Sequence, residues 1–98
     1  MPFEIRFASS VAAQLRALSS HEQKLILDEV VKQLSHEPAV ETRNRKPLRP
    51  NPVAPWELRM GDLRVLYDVA AADQRVEIVL IGKKVREKLW VAGQEVKL

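Results

Sequence analysis

The pattern of this chain predicts an α+β fold: an N-terminal strand, then a two-helix hairpin packed on an antiparallel β-sheet in the order β-α-α-β-β-β, closed by a short C-terminal turn or tail. Three observations carry that expectation. Phe3-Glu4-Ile5-Arg6-Phe7 alternates apolar and charged residues, the period of a half-buried strand. Ser19-Ser20-His21-Glu22-Gln23 holds two overlapping capping boxes, Ser19 with Glu22 and Ser20 with Gln23, so a helix begins there. Between Trp56 and Gly82, three β-rich runs are separated by Gly61-Asp62 and by Ala70 to Gln74, which is the signature of a meander.

The elements follow in order. Phe3 to Phe7 is expected at the edge of the main sheet or beside it. Ala8 to Leu18 sets Val11, Leu15 and Leu18 at helical spacing, with Ser9 or Ser10 as the available cap. The second helix carries Leu27, Val30, Val31 and Leu34 as its apolar stripe, and Glu37-Pro38 stops it. Two helices with almost no linker form an antiparallel hairpin on one sheet face. From Pro38 to Pro55 there are five prolines, with four cations in the seven residues from Arg43 to Arg49, so this segment is an ordered loop rather than a helix or a central strand. The strands Trp56 to Met60, Leu63 to Val69 and Arg75 to Gly82 come next. Beyond them, Lys84 to Trp90 fits a helical turn and Val91 to Val96 fits a returning strand; a turn followed by an extended tail is the expectation.

The 98 residues give room for a single domain, 1–98, with one modest core. Cysteine is absent, which excludes disulfides and thiolate metal sites. No signal-peptide pattern or membrane-length apolar run occurs, so a cytoplasmic protein with no membrane partner is expected. The net charge of +3 is unevenly spread. Residues 1–42 hold four Lys/Arg against six Asp/Glu, and residues 43–98 hold twelve against seven, a bias that suits an acidic partner.

Within the basic half, Arg64 lies in a strand whose positions Leu63, Val65, Tyr67 and Val69 should face the helices, which turns Arg64, Leu66 and Asp68 to the other side. There it is either a rigid bidentate phosphate clamp or the partner of a cross-strand Glu57 or Glu77. Arg43, Arg45, Lys46 and Arg49 read either as contacts to an RNA backbone or as a solvated charge cluster. Lys83, Lys84, Arg86 and Lys88 gather near Trp90, which either stacks a nucleobase or covers the core. His21 and His36 are a helix length apart and cannot share a metal, and no Gly-rich phosphate loop or nucleophile triad is present.

Taken together, Arg45-Lys46-Pro47-Leu48, Trp56-Glu57-Leu58-Arg59, Gly61-Asp62-Leu63-Arg64-Val65-Leu66-Tyr67-Asp68 and Ile81-Gly82-Lys83-Lys84 resemble, in order and spacing, the RelE/ParE toxin superfamily. The resemblance implies a RelE-like toxin of a type II toxin–antitoxin system, bound by a cognate antitoxin. RelE-like members are ribosome-dependent mRNA interferases, endoribonucleases that enter the ribosomal A site and inhibit translation by cutting mRNA through attack of its own 2′-OH. They use no metal or other cofactor. ParE-like members are the alternative, non-catalytic inhibitors of DNA gyrase, and an inactive relic that only binds antitoxin is a third reading. On this resemblance Arg64 clamps the phosphate and Lys84 shares the task. Arg45 and Lys46 hold RNA, and proton transfer falls to Lys83, Lys84, Glu57 or Asp62. Two departures stand out: Trp90 occupies the position of a Tyr acid, and Pro55-Trp56-Glu57 replaces a lysine-bearing strand.

Overall fold

A computed structural model describes residues 2–98. The chain runs β1 (Glu4–Phe7), α1 (Val11–Arg16), α2 (Ser20–Leu34), β2 (Arg45–Pro47), β3 (Trp56–Met60), β4 (Leu63–Ala70), β5 (Arg75–Val85), β6 (Lys88–Val91) and β7 (Gln94–Val96). Strands β2 to β7 form an antiparallel sheet in chain order, and β1 joins β5 in parallel. The predicted α+β arrangement of a first strand, a helix pair and an antiparallel sheet is what the protein adopts.

Strand alternation divides the sheet into two faces. Leu58, Val65, Tyr67, Val76, Ile78 and Ile81 meet Val11 of α1 and Ile26, Val30 and Leu34 of α2 in the main core. On the other face, Leu66 and Leu80 pack with Leu89, Val91 and Ala54, so the proline-rich loop lies over a second, smaller core. The Tyr67 hydroxyl donates to Pro38 O at 2.7 Å and its ring stacks on Trp56, which ties the start of that loop to the sheet. Burial raises the Tyr67 pKa above its ordinary value.

The helix stripe differs from the expected one. Ile26, Val30 and Leu34 face the core, while Leu27 and Val31 are exposed. The capping box fixes where the helix begins: Ser19 Oγ accepts from the Glu22 amide, and Glu22 Oε1 accepts from the Ser19 amide. The second box does not form, because the Gln23 side chain donates instead to Leu18 O. Ser10 precedes α1 without a side-chain capping bond.

Glu22 also accepts from Lys83 Nζ at 2.9 Å, joining the start of α2 to the sheet. The Lys83 ammonium and the Ser19 cap together hold the Glu22 carboxyl down to about 2, from an ordinary value of 4.5. A depressed carboxyl stabilises the fold above its unfolded pKa and loses that contribution as pH falls toward the folded one. The melting temperature of the wild type should therefore exceed that of Glu22→Gln at neutral pH, and the two should converge as pH falls from about 4.5 toward 2. Parallel melting curves across that window would assign the cap no pH-linked role. Ser19→Ala should cost about 1 kcal/mol.

Strand β5 has two partners on one edge. Its start pairs with β1 and its end with β6. Between them, Val79 is an extra residue at a register shift, and the Ile81 amide donates to Gln14 Oε1 of α1 at 2.9 Å. A helix side chain thereby satisfies a strand donor that neither neighbour reaches.

The C-terminus corrects the expectation of a turn and tail. Residues 85–96 form a hairpin, with Arg86 and Glu87 both at positive φ in a two-residue turn and Ala92-Gly93 in the next. Neither Arg86 nor Glu87 is a residue that favours this conformation, which is why the turn was not legible. Gly82 makes the hairpin's approach possible: a Cβ there would lie 2.6 Å from Trp90 O and 2.8 Å from Val91 Cγ2.

Candidate nucleic-acid interface

The tight turn at Gly61-Asp62 sets Arg59 of β3 directly opposite Arg64 of β4, and the next register places Arg64 opposite Gly82 of β5. All three lie on the face away from the helices. Two arginines facing one another repel unless a carboxylate intervenes, and here a single one does. Glu57, with its side chain 5% exposed, accepts from Arg59 Nε at 2.7 Å and lies 3.8 Å from Arg64 Nε. Two cations share one buried anion, which leaves the row electropositive.

Arg64 is less free than an open clamp. Its Nη1 donates to Gly61 O at 2.6 Å and Leu63 O at 2.9 Å, and its Nε is buried without a hydrogen-bond acceptor. No hydrogen bond engages Nη2 among the described residues, so that nitrogen is the donor left for an anion. The alternative of a cross-strand partner is thus half realised: Glu57, not Glu77, is the neighbour.

Lys84 shares this face. It lines a cleft of about 220 Å³ with Glu57, Leu89, Val96 and the hairpin acids Glu87 and Glu95. The cleft is mixed in charge, since Lys88 and Lys97 also reach it. Beside it a hollow of about 400 Å³ lies among Leu48, Arg49, Pro50, Asn51 and Leu98. Exposed Arg49 borders this side, and Lys46, in register with Glu57, pairs with Glu41 at 3.3 Å.

The remaining candidates are elsewhere. Lys83 points to the opposite face and is held by Glu22. Trp90, in register with Lys83, lies on that same helix-side face and is 38% exposed, so it neither joins Arg64 nor enters the core. Arg45 is drawn inward: its Nη1 donates to Gln33 O at 2.7 Å and its Nε to Val40 O at 3.0 Å, so it fastens the end of α2 rather than reaching outward. Arg43 is exposed on the loop, and Arg86 is exposed in the β5–β6 turn. Arg59 was missed as a site residue. The two-residue Gly61-Asp62 turn was the available signal, because it fixes Arg59 across from Arg64.

Neither family models nor curated proteins give a match to the sequence. Solved structures do. The RelBE2 toxin–antitoxin complex of Mycobacterium tuberculosis contains a chain that superimposes with a TM-score of 0.74 at 25% identity, covering 86% of this chain and 93% of that one. The chain belongs to the RelE-like toxin superfamily. The archaeal RelE–RelB complex of Pyrococcus horikoshii matches this RelE-like chain at a TM-score of 0.70 and 22% identity, over 88% of this chain and 99% of that one. The isolated E. coli RelE toxin matches at 0.68 and 21%, over 86% of each chain. The last two likenesses concern the RelE fold, which agrees with the first strand, helix pair and antiparallel sheet found here.

Among the described residues of this RelE-like chain, no cluster of three His, Asp or Glu side chains is arranged to hold a metal, and no helix is long and apolar enough to cross a membrane. An apolar groove of about 310 Å³ runs between Phe7, Ala8, Val11, Ala12, Leu15 and Leu27. Phe7 and Leu27 are 44% and 42% exposed, and Val31 continues the strip at 61%.

Proposed function

We propose that this protein is a ribosome-dependent mRNA interferase, the toxin of a type II pair neutralised by a cognate antitoxin. The observation that carries the reading is the Arg59–Arg64 pair around one buried carboxylate, beside Lys84, on a RelE-like fold. An electropositive row of fixed guanidinium groups suits the phosphate of an RNA being cut, where negative charge accumulates on the non-bridging oxygens. Arg64 Nη2 and Arg59 hold that phosphate. Glu57 takes the proton from the 2′-OH as its oxygen attacks phosphorus, and Lys84 returns a proton to the departing 5′-oxygen. The products are a 2′,3′-cyclic phosphate and a free 5′-hydroxyl. Lys83 takes no part in this scheme, because strand alternation turns it to the other face.

The ribosomal A site supplies the alignment of the 2′-OH, a contribution of several kcal/mol that free RNA lacks. The test is to map mRNA ends in cells shortly after induction. Codon-phased cuts within translated regions support the proposal. Intact mRNA accompanied by a DNA-damage response would replace it with the gyrase reading.

Neutralisation is expected at the Phe7–Leu27–Val31 strip, whose exposed apolar surface suits an amphipathic partner segment. Val31→Asp and Phe7→Ala should each weaken the complex with the product of the adjacent small reading frame at least tenfold by calorimetry. Unchanged affinity in both would move the antitoxin to another surface.

A further inference from the structure

Arg59 faces Arg64 in the β3–β4 ladder, and a residue outside the proposed cleavage site holds its backbone there. In an antiparallel sheet, pairs that exchange hydrogen bonds alternate with pairs that do not, and the latter bring their side chains closest together. Lys46 faces Glu57 and Arg45 faces Leu58, so Asn44 stands opposite Arg59, one step before the first residue of β2. Both backbone groups of Arg59 turn to it: the Arg59 amide donates to Asn44 O at 2.8 Å, and Arg59 O accepts from Asn44 Nδ2 at 3.0 Å. The second bond would ordinarily come from the Asn44 amide. That amide donates instead to Thr42 Oγ1 at 3.3 Å, which also accepts from the Arg45 amide at 3.0 Å. The Asn44 side chain therefore supplies the rung of the ladder that its own backbone cannot.

This rung lies where like charges press on the sheet. With its backbone bonds directed to Asn44, Arg59 makes none to Arg64, so the pair is of the close kind and the two arginines meet at the shorter cross-strand separation. Glu57 draws both guanidinium groups together, at 2.7 Å from Arg59 Nε and 3.8 Å from Arg64 Nε. Released from Asn44, the end of β3 would tilt under that repulsion, Arg59 would leave Glu57, and the carboxylate would pass to Arg64 alone. We infer that Asn44 is a positioning residue for Arg59: it sets how the two arginines share Glu57, and hence their grip on the scissile phosphate. The effect on catalysis rests on the interferase reading above, but the geometry can be measured without RNA. Asn44 acts only through Arg59, because its Nδ2 is committed to Arg59 O.

The test follows the Arg59 Nε–H signal by NMR in the free protein, where the bond to Glu57 protects it from exchange. Asn44→Ala and Asn44→Asp both remove the donor, the second at nearly constant size. Each should speed exchange at Arg59 Nε–H by roughly tenfold, the scale of one hydrogen bond. Arg75 Nε–H, bonded to Glu77 at 2.9 Å near the opposite end of β4 and β5, should not change. On programmed ribosomes Asn44→Ala should lower kcat about tenfold with KM nearly unchanged, as a small misplacement of a group that grips the transition state does. In an Arg59→Ala background the same substitution should cost nothing more. Unchanged exchange at Arg59 in both variants would overturn the proposal. Equal acceleration at Arg75 would also overturn it, since that marks a general loosening of the sheet. So would kcat losses that add in the double variant, because they belong to a role independent of Arg59. Faster exchange at Arg59 alone, in a protein whose wild type cuts no mRNA, would remove the interferase reading and keep Asn44 as the residue that positions Arg59.

Discussion

Arg64→Ala should reduce cleavage of mRNA on programmed ribosomes by about 10²–10³-fold, the range for removing one preorganised donor from a developing negative charge. Folding will also suffer, because Nη1 leaves Gly61 O and Leu63 O without their donor. Two such bonds are worth about 1 kcal/mol each, so a stability loss of about 1–2 kcal/mol is expected from chemical denaturation. The two effects separate on Arg64→Lys, which keeps a positive charge on this face but cannot reproduce the planar fork, and which should recover only part of the activity. A folded Arg64→Ala protein that remains fully toxic would remove Arg64 from the site and favour the gyrase target.

The largest effect on stability is expected at Gly82. Alanine there places a methyl carbon 2.6 Å from a backbone oxygen of β6, which cannot rotate away as a side-chain end would. Overpacking of this kind costs about 1–3 kcal/mol, and a rigid backbone neighbour puts Gly82→Ala at the upper end. The damage should be local before it is global. Leu89 and Val91 anchor the β6–β7 hairpin in the second core, so their amides should lose hydrogen-exchange protection while those of Ile26 and Val30 keep theirs. Unchanged protection at Leu89 and Val91 would show that β5 and β6 can separate slightly without losing the hairpin.

The outline of the fold was legible because its signals are local. Alternation in Leu63–Val69 assigned Val65 and Tyr67 to the helix side and Leu66 to the other, and the two cores divide in that way. The Ser19–Glu22 box fixed where α2 begins. Its apolar stripe was harder to read, since Ile26, Leu27, Val30 and Val31 are equally apolar, and only packing shows that Leu27 and Val31 are left outside. The C-terminal hairpin was hidden by Arg86 and Glu87, which fill a turn that normally asks for Asn or Gly.

The site was partly legible for the same reason. Period-two reasoning turned Arg64 away from the helices, but carried through to β5 it also sends Lys83 and Lys84 to opposite faces, a consequence that adjacency in sequence conceals. The side of Trp90 depends on how β6 pairs with β5, and β6 was not foreseen as a strand. Arg45 resembles its neighbours in sequence, and only the carbonyls of Gln33 and Val40 reveal it as a fastening.

The parallel pairing of β1 with β5 has a consequence for synthesis. Ile5 is matched to Val76 and Phe7 to Ile78, so the first strand has no place to dock until most of the chain has been made. The hairpins from β3 to β7 join neighbours in sequence and can close early, whereas β1 must close the longest loop in the molecule. Truncated products that stop before about residue 75 would lack the partner that seats β1 and, with it, the Phe7 end of the apolar strip. Assembly of that strip therefore comes late in the life of the nascent chain, after Arg59 and Arg64 have already been brought face to face by their two-residue turn.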